Sequence, residues 1–414
     1  MNSLSVPGRP GPAAVGNTAL RIAMIAPPYF AVPPAGYGGV EAVVADLVDA
    51  LVDRGHQVTL IGTGRPGTRA QRFVATYPVP FADRLGEPFP EVAHAAAAAR
   101  ILDGLVVDVV HDHTLAGPLL ARGRLPPTLV TAHGPVDGEP GRYYQTLGTT
   151  IGLVAISHAQ RRAAPNLPWK ATVHHGLRAE TFSFRADKED FALFLGRFHP
   201  EKGPHLAIDA ARAAGLPIVL AGKCSEAVER GYFDREIRPR LGPDTVMFGV
   251  ADAAAKRDLL ARAACLLFPA CWDEPFGLVL IEAMACGTPV VALRRGAVAE
   301  IILDGQTGVI VDSPADLPRA IDQARQLNPA ECRRHVTADF TVEAMAVGYE
   351  TAYRKMLTEI AEPALPSVEP HRRGTAVGFQ TTVRKPHSRT TGLPSRTVES
   401  VDHRGKTDLP RTKT

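Results

Sequence analysis

Short, almost wholly apolar runs that alternate with helical segments constrain this chain more than any other feature. Arg21–Pro28, His56–Thr63, Asp108–His113, Pro127–Gly134 and Gly152–Ser157 each read as a strand. Strands this apolar have no face to offer water, so they predict a parallel sheet covered on both sides by the intervening helices. The pattern starts again at Asp190–Arg197 and continues through Pro217–Lys223, Thr245–Val250, Cys265–Ala270, Pro289–Leu293 and Gly308–Val311. Two α/β lobes are therefore expected, over residues 20–180 and 186–340. Between them a candidate strand at Thr172–His175 gives way to a mixed polar stretch that reads as a hinge. A helical pattern at Val342–Thr358 assigns residues 341–360 to a C-terminal helix able to cross back to the first lobe.

The ends of the chain and its charge narrow the function. After residue 360 there are ten Lys and Arg against five Asp and Glu, which leaves 36 basic against 38 acidic residues in the rest. The folded part is near neutral, which excludes a nucleic-acid binder, since its basic residues would gather on a folded face. Residues 361–414 are rich in Pro, Thr, Ser, Arg and Gly and read as a disordered basic tail, with a peripheral contact as the sharper alternative. The Gly- and Pro-rich residues 1–19 read as a disordered N-terminus without the apolar core of a secretory signal. No run of 18 apolar residues predicts a membrane-spanning helix, although an amphipathic surface leaves room for peripheral membrane contact. The five cysteines, Cys224, Cys265, Cys271, Cys286 and Cys332, form no Cys-x-x-Cys pair and read as reduced thiols of a cytoplasmic protein.

Three segments carry chemistry. Gly36-Tyr-Gly38-Gly39 lies between the first strand and a helix beginning near Val40, where backbone N–H groups at a helix start suit a phosphate. The same glycines would also serve merely to close the turn. They do not make a dinucleotide fingerprint, because the third glycine is missing at the required offset. Arg197 and Lys202 leave the first strand of the second lobe, at a carboxyl end where α/β sheets bind ligands. Together they suit a diphosphate, while surface ion pairs with Glu201 or Asp209 are the bland alternative. In Glu274-Pro-Phe-Gly277-Leu278-Val-Leu-Ile-Glu282, Pro275 and Gly277 keep Glu274 in a loop ahead of a helix over Leu278–Cys286. That helix carries Glu282 among apolar neighbours, where a carboxylate needs a partner such as a ribose diol, or else Arg294 or Arg295.

Taken in order, Gly36-Tyr-Gly-Gly-Val-Glu41, Asp108-Val-Val-His-Asp-His113, Thr131-Ala-His133-Gly-Pro135, Phe194-Leu-Gly-Arg-Phe-His-Pro-Glu-Lys-Gly203 and Glu274 to Val291 make the chain resemble the retaining glycosyltransferases of family 4, over roughly Ile22 to Tyr353. The resemblance implies a GT-B fold, two Rossmann-like lobes whose parallel sheets face each other across a cleft. The second lobe would hold a nucleotide-diphosphate sugar and the first an acceptor that is a sugar, a lipid-linked compound or a small molecule. Carried over, Arg197 and Lys202 hold the diphosphate, Glu282 the ribose and Glu274 a hydroxyl of the transferred sugar. Gly277 and Leu278 add N–H groups near the phosphates, His133 lies beside the sugar, and Gly38 and Gly39 close on the diphosphate. The expected co-substrate is a UDP-hexose, with GDP-mannose as the second choice. No cofactor is expected, and without any Asp-x-Asp no metal. A sugar-nucleotide 2-epimerase and a non-catalytic nucleotide-sugar-binding protein are the alternatives.

Among the other histidines, His111 and His113 read as lining the cleft, and His94 as a solvated helical position. His174 and His175 stand where relatives show Asn-Gly.

Overall fold

A computed structural model describes residues 18–361 of the chain. The readings over 1–19 and 361–414 lie outside these residues, apart from Thr18, Ala19 and Ala361.

In the first half, strands β1 (Arg21–Ile25), β2 (Gln57–Thr63), β3 (Arg72–Tyr77), β4 (Val109–Asp112), β5 (Thr128–Ala132), β6 (Gly152–Ala155) and β7 (Trp169–Thr172) alternate with helices α1 (Gly39–Asp53), α2 (Pro88–Asp103), α3 (Gly138–Leu147) and α4 (His158–Ala163). The strands form one seven-stranded sheet in the order β3-β2-β1-β4-β5-β6-β7, and its pairings are parallel. The second half supplies β8 (Glu189–Leu195), β9 (Ile218–Ala221), β10 (Thr245–Gly249), β11 (Ala263–Phe268), β12 (Val290–Leu293) and β13 (Gly308–Val311). These make a six-stranded parallel sheet in the order β10-β9-β8-β11-β12-β13. Its helices are α5 (Pro204–Ala213), α6 (Ala227–Tyr232), α7 (Ala253–Arg262), α8 (Leu278–Ala285), α9 (Val298–Ile301), α10 (Leu317–Ala324) and α11 (Pro329–Asp339).

Each sheet reverses its strand order once, beside β1 and β4 in the first and beside β8 and β11 in the second. Loops that leave such strands diverge to opposite faces and open a crevice at the carboxyl ends. The Gly36–Gly39 loop follows β1, Arg197 follows β8 and Glu274 follows β11, so each loop in question leaves a reversal point.

The last helix, α12 (Val342–Ala361), belongs to the core of the first lobe. Val342, Met345, Ala346, Tyr349, Tyr353 and Met356 recur at helical spacing and are buried with Ile22, Leu47, Leu51 and Leu60. Tyr349 and Tyr353 are fully buried, and truncating either to alanine should cost about 3–5 kcal/mol by analogy with other large aromatics. The exposed end of this packing is held by Glu350, which accepts from Arg54 at 2.5 Å and Arg354 at 2.7 Å.

Two elements differ from the sequence reading. β3 is absent from the strands read in the sequence, because as an edge strand it is only half buried and carries Arg72 and Thr76. The seventh strand is Trp169–Thr172 and not Thr172–His175; the burial of Val173 and His175 comes from contacts in the loop that follows. His94 is fully buried and not solvated: its Nδ1 lies 2.7 Å from Thr76 Oγ1, and burial holds its pKa down to about 4. Among the described residues no helix is long and apolar enough to cross a membrane.

Candidate active site

The cleft between the lobes is lined by Gly38, Gly39 and His133 from the first half and by Arg197, Lys202, Glu274, Gly277, Leu278 and Glu282 from the second, around a cavity of about 560 Å³. All nine residues singled out in the sequence thus meet in one place.

Two helices start at this cleft on glycine. Gly38 precedes α1 with φ 140° and Gly277 precedes α8 with φ 84°, values that L side chains rarely adopt. A Cβ on Gly38 would stand 2.9 Å from Pro34 Cβ, and one on Gly39 would meet Leu278 Cδ1 across the cleft at 3.3 Å. The first turns of α1 and α8 therefore approach each other from opposite lobes. Neither has a side-chain cap, whereas Ser157, Asp252 and Asn328 cap α4, α7 and α11. The first N–H groups of a helix have no intrahelical partner, so α1 and α8 leave theirs, with the positive ends of two dipoles, for an anion.

The charged side chains around those helix starts form two ion pairs. Lys202 Nζ lies 2.5 Å from Glu274 Oε2, and Trp272 Nε1 donates to the same oxygen at 3.1 Å. Lys256 Nζ lies 2.5 Å from Glu282 Oε1. The two carboxylates are thus held by different cations, one in the loop before α8 and one in its second turn. Arg294 and Arg295, expected as alternative partners of Glu282, are not used; Arg294 pairs with Asp312 at 2.9 Å. Arg197 is only loosely paired, with Nη1 3.9 Å from Glu226 and 3.8 Å from Glu229. Asp209 pairs with Arg240 and Glu201 with His199, so neither competes for Arg197 or Lys202. Lys256 and Trp272 were missed in the sequence. Nothing marks a lone Lys on α7, whereas the position of Trp272, two residues before Glu274, is a faint signal.

His133 closes the cleft from the first lobe. Its ring stacks on His175 with centroids 5.4 Å apart at 19°, and His175 packs edge-on against Phe276 at 4.9 Å. Burial lowers the His133 pKa to about 4, and His175 is held well below its usual range for the same reason. A neutral imidazole wall results. His111 and His113 do not line the cleft as expected but lie behind it. His111 Nδ1 is 2.7 Å from Tyr353 Oη and its Nε2 is 2.8 Å from Thr131 Oγ1, which ties the wall to α12.

A site of this kind has an anion seat made from two cations and two uncapped helix starts. Beside the seat stand two carboxylates able to accept from hydroxyls, and a neutral histidine faces both. Such a set suits a phosphorylated polyol and can stabilise negative charge that grows on a phosphate.

Known proteins resemble this chain over both lobes. Residues 179–337 match the family model described as glycosyl transferases group 1, and residues 37–187 match that of glycosyltransferase family 4. A phosphatidyl-myo-inositol mannosyltransferase of Mycobacterium leprae is 28% identical over 326 residues, covering 70% of this chain and 83% of that protein. Among solved structures, AviGT4, a glycosyltransferase involved in avilamycin A biosynthesis, is 28% identical with a TM-score of 0.63 over 82% of this chain and 98% of its own. The Anabaena protein HepE, solved with UDP-glucose, shares the fold at 16% identity, with a TM-score of 0.62 over 82% of this chain and 100% of its own.

Proposed function

The chain belongs to the group 1, family 4 glycosyltransferases of GT-B fold, and from that premise we propose that it is a retaining hexosyltransferase using a nucleotide-diphosphate sugar. The observation that carries this reading is the convergence of two uncapped helix starts with Arg197 and Lys202 on one cleft. In this proposal Arg197, Lys202 and the N–H groups at Gly38, Gly39, Gly277 and Leu278 hold the diphosphate. Glu282, oriented by Lys256, accepts from the ribose hydroxyls. Glu274 shares Lys202 with the diphosphate, so the sugar hydroxyl it accepts belongs to the residue attached to that phosphate.

The chemistry follows from the charges. As the anomeric C–O bond lengthens, negative charge builds on the leaving phosphate, where two cations and two helix dipoles oppose it. The departing phosphate oxygen takes the proton of the acceptor hydroxyl on the same face of the sugar, and the acceptor oxygen bonds to the anomeric carbon there. The configuration is retained and no protein side chain acts as the base. The cations supply the stabilisation a divalent ion would give, so a chelator leaves the transfer rate unchanged.

A UDP-hexose is the proposed donor, supported by the UDP-glucose held by the Anabaena protein of the same fold. GDP-mannose is the second reading, favoured by the mycobacterial relative named a mannosyltransferase. The acceptor is a sugar, lipid-linked or small-molecule hydroxyl bound by the first lobe, and the protein works in the cytoplasm. Thermal stabilisation by UDP, GDP and ADP, followed by hydrolysis of each matching sugar nucleotide, tests the donor. Stabilisation by UDP with hydrolysis of a UDP-hexose is expected. Epimerised nucleotide sugar would mark a 2-epimerase, and binding without turnover would mark a non-catalytic protein; either would overturn the proposal.

A further inference from the structure

Outside the cleft, among the described residues, one cluster brings three metal-ligating side chains together: His158, His174 and Glu300. His158 opens α4 and His174 follows β7 in the first lobe, while Glu300 stands on α9 of the second. One ligand atom of each lies within 4.8 Å of the other two. His174 Nε2 is 2.5 Å from Glu300 Oε1, and the rings of His158 and His174 stand 5.8 Å apart at 85°.

The cluster is held from behind. The N–H groups of His158 and Ala159 donate to the two oxygens of Glu300 at 2.7 and 3.0 Å. The carboxylate is therefore fixed in direction, as outer hydrogen bonds fix a metal ligand. The His174 ring packs against Phe276 and Phe340, with centroids at 5.9 and 5.8 Å. His158 is exposed and free to turn.

We propose that His158, His174 and Glu300 bind a divalent transition-metal ion of the zinc class, which clips the first lobe to the second. Two imidazoles and a carboxylate are the donor set such borderline-soft ions take, with a solvent water completing the shell. Ligand atoms about 2.0–2.1 Å from a tetrahedral zinc stand about 3.3 Å from one another. The His174–Glu300 pair would open by roughly 1 Å, and the exposed His158 would close by up to about 1.5 Å. The ion takes the place of the proton between His174 Nε2 and Glu300, and that proton leaves to solvent with no change of oxidation state. None of the three residues lines the donor cleft, so the ion is a structural clip and takes no part in sugar transfer.

Titration calorimetry of the full chain with ZnCl2 alone tests this, beside His158→Ala and His174→Ala. One ion per chain is expected to bind the natural protein, with affinity falling at least tenfold in each variant. Substituting CoCl2 should give visible absorption bands that disappear in His158→Ala, whose exposed side chain can be removed without loss of the fold. Zinc binding of equal affinity in both variants would place the ion elsewhere and overturn the proposal, as would a natural protein that binds no zinc.

Discussion

His113 Nδ1 lies 2.8 Å from His133 Nε2, and His113 Nε2 lies 3.1 Å from Met24 Sδ. A thioether accepts but cannot donate, which places the His113 proton on Nε2 and leaves its Nδ1 bare. His133 must then donate from Nε2, and its Nδ1 is a bare acceptor. The ring nitrogen left for a ligand in the cleft is one that accepts a hydrogen bond from a hydroxyl.

A hydroxyl-accepting His133 gives a distinct pH profile. Burial lowers its pKa to about 4, so the neutral ring is present throughout the neutral range and is lost only as pH falls through about 4. Between pH 5.5 and 8, kcat/KM should show no inflection that His133→Ala abolishes. The variant should transfer roughly ten- to a hundredfold more slowly, the worth of a hydrogen bond in a dry site. An inflection near 6.5 that vanishes with His133 would defeat this assignment.

The two carboxylates should fail differently. Glu282→Ala removes the proposed ribose acceptor and leaves Lys256 unpaired, so nucleotide affinity should fall by roughly 10- to 100-fold, or about 1.4–2.8 kcal/mol. Glu274→Ala should leave the affinity for the free nucleotide within about threefold and lower kcat, since the interaction it is proposed to lose is to the transferred sugar. Equal loss of nucleotide affinity in both variants would mean that the two side chains share one role.

Gly277→Ala probes the helix start. At φ 84° an alanine is strained, and its Cβ would lie 3.0 Å from Leu280 Cδ1. The stability cost should be about 1–3 kcal/mol, while donor KM rises because the α8 N–H groups shift. A variant with unchanged donor KM would show that these N–H groups do not touch the phosphates.

Glu41, on the first turn of α1, is buried, which pushes its pKa from 4.5 up to about 7. The folded state prefers the protonated carboxyl, so this contribution is complete below about pH 4.5 and fades as pH rises towards 7. By pH 8 the loss should reach about 3 kcal/mol. Glu41→Gln should therefore lose less stability than the natural protein between pH 5 and 8. Parallel curves of Tm against pH would refute it.

Most of the cleft was legible because glycine and proline punctuate it. Gly38, Gly39, Gly203 and Gly277 mark where strands hand over to helices, and those handovers are where the ligands of parallel sheets bind. What stayed hidden are contacts between residues far apart in the chain. His111 looked like a cleft residue because its partner Tyr353 lies 242 residues later, on a helix whose docking fills the space behind the wall. Lys256 was unreadable because only folding brings α7 beside Glu282. His94 looked solvated in an alanine run, since nothing local announces that α2 turns that face towards Thr76 on an edge strand.

Retention at the anomeric carbon is tested most directly by proton NMR of the hexose first released when the enzyme hydrolyses a UDP-α-hexose in the presence of a chelator, read before mutarotation. Release of the α-anomer, at a rate the chelator does not change, is the predicted result. Early release of the β-anomer would contradict it.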